Sequence, residues 1–190
     1  MEKKPNFQNK VMLNILIISQ PDTREKSFIG IFLKKNGPGN ILDKILEQSK
    51  QIDSSVNYRI SYRFHPKEKR LMQLPGDICV DNTETWEDAL SENDIFVGLD
   101  SMLLVEAALA GKRCISLFLP EFSEYGNKTI PYRIWENVED IKNLGMILRR
   151  TTQGVENNYS CNLSDLVDAV KGSYERVINS FETFIHNYQQ

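Results

Sequence analysis

No apolar run in this 190-residue chain approaches the length needed to cross a bilayer. The densest, Val11 to Ile18, is short and interrupted by Asn14, and Met1 to Lys10 before it is polar, so no secretory signal is expected. Cysteine is scarce. Cys79, Cys114 and Cys161 are odd in number and widely spaced, which fits neither a disulfide framework nor a metal-ligand set. Cys79 and Cys114 sit in apolar runs, where a thiol acts as a small hydrophobe, and a reducing, cytoplasmic setting is expected. Charge of one sign is also lacking: the net charge is -3. The basic groups Lys67, Lys69, Arg70 and the pair Arg149-Arg150 are too short to form a nucleic-acid-binding face. No internal repeat or low-complexity tract is visible, and no Gly-x-Gly-x-x-Gly fingerprint follows the first apolar run.

What is present is ordinary globular material, 41% apolar and 26% charged. The length suits one domain, read here as residues 11–190 behind a polar lead-in of residues 1–10. Leu13 to Ser19 is apolar on both faces, the mark of a buried parallel strand. Asp22 to Gly39 reads as loop, broken by Gly37-Pro38-Gly39, and Ile41, Leu42, Ile45 and Leu46 then stripe a helix. Tyr58 to Phe64 alternates as a second strand, Asp77 to Asp81 gives a short third, and Thr85 with Asp88 predicts a capped helix from Trp86. Asp94 to Gly98 is a fourth strand, Ser101 caps a helix to Ala110, and Arg113 to Leu119 is a fifth strand.

Beyond it, Glu121 to Pro131 reads as loop, Trp135 to Asn143 as helix and Met146 to Arg149 as a possible sixth strand. After a polar stretch from Thr151 to Ser160, apolar residues from Leu163 to Tyr188 recur at three- and four-residue steps, predicting a long C-terminal helix. Strands alternating with helices require parallel pairing. The expectation is an α/β, Rossmann-like doubly wound parallel sheet of five or six strands with a long C-terminal helix. Ligands of such sheets bind beyond the carboxyl ends of the strands. That selects the loops after Ser19, Phe64, Val80, Gly98 and Leu119.

One of these loops carries the strongest signal. A buried strand passes through Gly98 into a helix opened by Ser101, and helix starts present free amides and partial positive charge to anions. Gly98 lets backbone lie close to a ligand, and Ser101 adds a hydroxyl. Glu106 lies within an apolar stretch of that helix, where its carboxylate would need donors such as ribose hydroxyls. Each has a plainer use: Gly98 as a turn, Ser101 as an N-cap, Glu106 paired with arginine or amides. His65, ahead of Pro66 at the end of the second strand, is either an exposed turn residue or a donor to phosphate.

Taken together, a strand ending in His65-Pro66 and the run from Asp94 through Gly98, Ser101-Met102 and Glu106-Ala107 to Gly111-Lys112 resembles the donor-binding half of bacterial GT-B glycosyltransferases. The likeness is to the sialyltransferase and polysialyltransferase group, and it covers Leu13 to Pro120. It implies that His65 contacts the donor phosphate and helps the nucleotide leave. It further implies that Gly98, Ser101 and Met102 line the phosphate site, that Glu106 holds ribose, and that Gln20 faces the cleft from below. The donor would be a CMP- or UDP-linked sugar, with no other cofactor and no metal. Such enzymes react between two domains, whereas this chain has length for one and lacks the acidic pair followed by glycine that supplies their base. Asp100-Ser101 also stands where they prefer paired hydroxyls.

Three functions therefore stay open. One is the nucleotide-sugar-binding half of a surface-polysaccharide or glycolipid transferase, completed by a partner chain or a second copy. Another is a non-catalytic nucleotide-binding module. A UDP-sugar epimerase-like enzyme is the third, with His65, Asp100, Glu121 and Glu124 as its available acid–base groups.

Overall fold

In the computed structural model, residues 12–20, 32, 41–52, 54–68, 74–99, 101–120 and 135–152 are described. The expected lead-in, the loops at 22–39 and 121–131, Asp100, Glu121, Glu124, the stretch 153–160 and the terminal helix at 163–188 lie outside them, Phe32 excepted.

Strand β1 (Leu13–Ile18) is buried except at Asn14, as a run apolar on both faces should be. Its alternate residues feed two separate cores. Leu13, Ile15 and Ile17 pack with Ile41, Leu42 and Ile45 of helix α1 (Ile41–Ser49). Leu16 and Ile18 pack on the other face, against Ala89 of α2 (Trp86–Glu92) and Leu104 and Val105 of α3 (Met102–Leu109). Strands β2 (Tyr58–Arg63), β3 (Cys79–Val80), β4 (Ile95–Gly98), β5 (Arg113–Ser116) and β6 (Glu136–Asn137) complete the sheet. All pairings are parallel, and the order is β3-β2-β1-β4-β5-β6. This is a Rossmann-like α/β fold.

The expected caps form. Thr85 and Asp88 make a reciprocal capping box, with the Asp88 amide donating to Thr85 Oγ1 at 3.1 Å. Ser101 caps α3, its Oγ accepting from the Leu104 amide at 3.3 Å. The third strand is shorter than its apolar run, and Cys79 is exposed rather than packed as a hydrophobe. Cys114 is buried, as expected.

The last two elements reverse the expectation from sequence. Within Trp135 to Asn143, read as helix, Glu136 and Asn137 are strand and helix begins only at Lys142: Glu136 and Asn137 pair with Ile115 and Ser116, and the Val138 amide donates to the Ser116 carbonyl at 2.8 Å. Trp135 enters the core on the α2–α3 face and Val138 the core on the α1 face, one apolar anchor on each side of the sheet. Residues 146–149, read as strand, belong instead to helix α4 (Lys142–Thr152). Leu144, Ile147, Leu148 and Thr151 are its buried stripe, at i, i+3, i+4 and i+7. Gly145 lies within that buried stripe, where a β-carbon would come within 2.5 Å of the Gln51 side chain just beyond α1. Among the described residues, no helix is long and apolar enough to cross a membrane.

Candidate functional site

The chain builds outward from β1 to β3, then returns to place β4 on the other side of β1. The order therefore reverses between β1 and β4, the position at which sheets of this kind bind their ligands. Ser19 and Gln20 stand at the end of β1, Leu99 and Ser101 at the end of β4.

On the β4 side, Gly98 is buried, and a β-carbon there would rest 3.6 Å from Leu104 Cδ2 and 3.7 Å from Ile18 Cβ. Those are ordinary contacts, so packing alone does not call for glycine. Ser101 Oγ is committed to its cap. The amides of Met102 and Leu103, in the first turn, have no carbonyl within the helix to bond. Met102 itself is 62% exposed, whereas Leu104 in the same turn is fully buried. Glu106 departs from expectation. It is exposed on α3 rather than set among apolar groups, so solvation satisfies its carboxylate and no ligand is required to do so.

On the β1–β2 side, His65 follows β2 and is half-buried. Its residue closes a turn, the Glu68 amide donating to the His65 carbonyl at 2.8 Å. The Lys67 amide donates to His65 Nδ1 at 3.2 Å. That acceptor role leaves the proton of the neutral ring on Nε2, as a donor. Because β1 alone separates β2 from β4, the two strand ends carrying His65 and Ser101 are two strand spacings apart, roughly 10 Å. Both residues lie at the carboxyl edge of the sheet. Gln20 is half-buried between them in strand order.

Sequence inspection missed the polar cluster beneath this edge. Ser19, Tyr62 and Glu68 are all buried. Ser19 Oγ donates to Glu68 Oε2. The Tyr62 hydroxyl lies 2.7 Å from Ser19 Oγ and 3.1 Å from Glu68 Oε1, and its single proton serves one of them at a time. The His65 amide donates to Glu68 Oε2 at 3.1 Å. The available signal was the spacing: Glu68 lies three residues after His65, the interval that a turn brings together.

Burial, with the Glu68 carboxylate beside it, raises the Tyr62 hydroxyl well above the ordinary tyrosine range. The folded state thus keeps a proton that the unfolded chain releases near pH 10. Stability from this group is complete below that pH and declines progressively above it, toward the raised pKa of the folded state. Urea unfolding between about pH 9 and about pH 11 should show a steeper loss for the wild type than for Tyr62→Phe. Equal slopes would refute it.

Neighbouring charges are occupied. Arg63 Nη1 bonds Asp81 Oδ2 at 2.5 Å and Thr83 Oγ1 at 2.7 Å, and its guanidinium lies 5.7 Å from the Trp86 ring centroid. A polar cleft of about 240 Å³, lined by Asn14, Ser61, Asp81 and Asn93 among others, lies on the strands' α2 side. None of the residues expected to bind nucleotide lines it.

The topology defines a Rossmann-like α/β protein whose strand order reverses between β1 and β4. No family model and no curated protein matches the chain. Among solved structures, the crystal structure of S. aureus homoserine dehydrogenase at pH 6.0 is similar at 13% identity, with a TM-score of 0.35. The alignment covers 76% of this chain and only 32% of that one.

Proposed function

We propose that the chain binds a nucleotide at the β1–β4 crevice, as the nucleotide-sugar-binding half of a glycosyltransferase completed by a partner chain. The observation that carries the proposal is that His65 and the first turn of α3 share the carboxyl edge of the sheet, with only β1 between the strands that lead into them. A span of roughly 10 Å is bridged by a nucleoside phosphate rather than by a bare phosphate. The free amides of Met102 and Leu103 would take phosphate oxygens, and His65 Nε2–H would donate to the same group from the other side. Gly98 would let the ligand lie close, Gln20 would floor the crevice, and exposed Glu106 would reach ribose from one turn further along α3. In transfer, a donor on the leaving phosphate offsets the charge that develops there, the role that falls to His65. The proposed setting is a reducing cytoplasm, with which the free thiols of Cys79 and Cys114 are compatible.

Calorimetry against CMP, UDP and GDP tests the site. One of them should bind, and His65→Ala should weaken it about tenfold, the loss of one hydrogen bond to a charged group. Glu106→Ala should weaken it less, because an exposed carboxylate gives a weaker bond. If neither substitution weakens any nucleotide, the assignment falls. Turnover of a CMP- or UDP-linked sugar only after a second Rossmann-like chain is supplied would support the transferase half over a non-catalytic module.

A further inference from the structure

The Ser19–Tyr62–Glu68 cluster is unusual in placing a carboxylate, 5% exposed, beneath a sheet edge. Burying such a group costs several kcal/mol unless its oxygens are satisfied. Here the oxygens are satisfied by groups from three places: the end of β1, the middle of the β2 side and the backbone of the following turn. Tyr62 belongs to β2 and is fixed by the parallel ladder, and Ser19 directly follows β1, its amide donating to the Arg63 carbonyl at 3.0 Å. Glu68 is the connection between that rigid frame and His65. Its Oε2 receives the His65 amide, and its own amide closes the turn on the His65 carbonyl. The same turn brings the Lys67 amide to His65 Nδ1.

We infer that Glu68 is a positioning residue: its buried carboxylate, anchored by Ser19 and Tyr62, holds the His65–Glu68 turn so that the imidazole keeps Nδ1 as acceptor and offers Nε2–H at the strand end. The role deepens the nucleotide site proposed above and rests on it for its purpose. Without the anchor the turn loses its tie to β1, the Lys67 amide no longer defines Nδ1, and the neutral ring divides its proton between both nitrogens. A donor absent for part of the time gives a weaker phosphate contact. An amide in place of the carboxylate still offers one oxygen to the His65 amide, so it preserves the tie.

Nitrogen-15 NMR of the imidazoles reads this directly, because the chain has two histidines and His186→Gln assigns them. The wild type is expected to show neutral His65 mainly as the Nε2–H form. Glu68→Ala should give a mixture of both forms and about tenfold weaker binding of whichever of CMP or UDP binds, with Glu68→Gln close to wild type in both. Should Glu68→Ala not fold, Ser19→Ala and Tyr62→Phe, which each remove one anchor, should shift the tautomer part of the way. A lower melting temperature with an unchanged tautomer and unchanged affinity would reduce Glu68 to a structural residue and overturn the proposal. The two ideas separate cleanly. If His65→Ala leaves nucleotide affinity intact, the binding site is wrong, and the tautomer signal alone then judges Glu68.

Discussion

Phe96→Ala is expected to destabilise the protein by about 3–5 kcal/mol, the range for deleting a buried aromatic ring. Phe96 is fully buried at the centre of β4, between β1 and β5. Its ring meets Trp86 edge-on at 5.6 Å, with Leu16, Ile18, Leu104 and Val105 in the same core. Strands on both sides hold the backbone in register, so the walls cannot collapse into the vacated space. Part of the loss, about 0.5–1.5 kcal/mol, is the aromatic pair itself. For a chain of this size the melting temperature should fall by roughly 6–20 °C. Met102→Ala, at a position 62% exposed, should stay within about 0.5 kcal/mol of wild type. Circular dichroism with urea compares them, and a Phe96→Ala loss below about 1 kcal/mol would mean the core relaxes freely.

Most of the fold could be read in the residues because its signals are local. Leu13 to Ile18 is apolar on both faces, which only a central strand accommodates, and Thr85 and Ser101 announce their helices by side-chain chemistry alone. Where the reading failed, the deciding interactions were distant in sequence. Trp135, Glu136, Asn137 and Val138 fit either period, and pairing with β5, not propensity, makes Glu136 and Asn137 a strand. Residues 146–149 alone show no period, and the helical stripe appears only when Leu144 and Thr151 are counted across Gly145. That glycine costs helix propensity, yet it admits the Gln51 side chain to the space a β-carbon would take.

The candidate site divides in the same way. That His65 and Ser101 would share an edge followed from alternation of strands and helices, since parallel strands put all such loops at one end. Glu106 misled because an apolar neighbourhood in sequence is not one in space: Leu104, Val105, Ala107 and Ala108 turn inward on α3, and position 106 falls between them on the outer face. Glu68 was overlooked for the opposite reason. Its neighbours in sequence, Lys67 and Lys69, are charged, and only the closing of the His65 turn carries it under the sheet edge.

Arg113→Ala should cost about 2–4 kcal/mol, more than any exposed charge on this protein could. Arg113 Nη2 bonds Glu136 Oε2, joining β5 to the edge strand β6, and the two side chains are 17% and 6% exposed. Removing the arginine leaves a carboxylate that is still out of water but has lost this ion pair, the costly half of breaking a buried pair. The figure lies below the fully buried range because Arg113 retains some solvent. Replacing both together, Arg113→Met with Glu136→Leu, should recover most of the loss, since neither member of this pair then stays charged. Urea unfolding of the wild type, both single variants and the double closes the cycle, and a strong non-additive coupling is expected. Additive costs, each under about 1 kcal/mol, would show that the pair is screened. The register of β6 would then rest on its backbone pairing with β5 and on Trp135 and Val138, the two apolar anchors that flank it on opposite faces of the sheet.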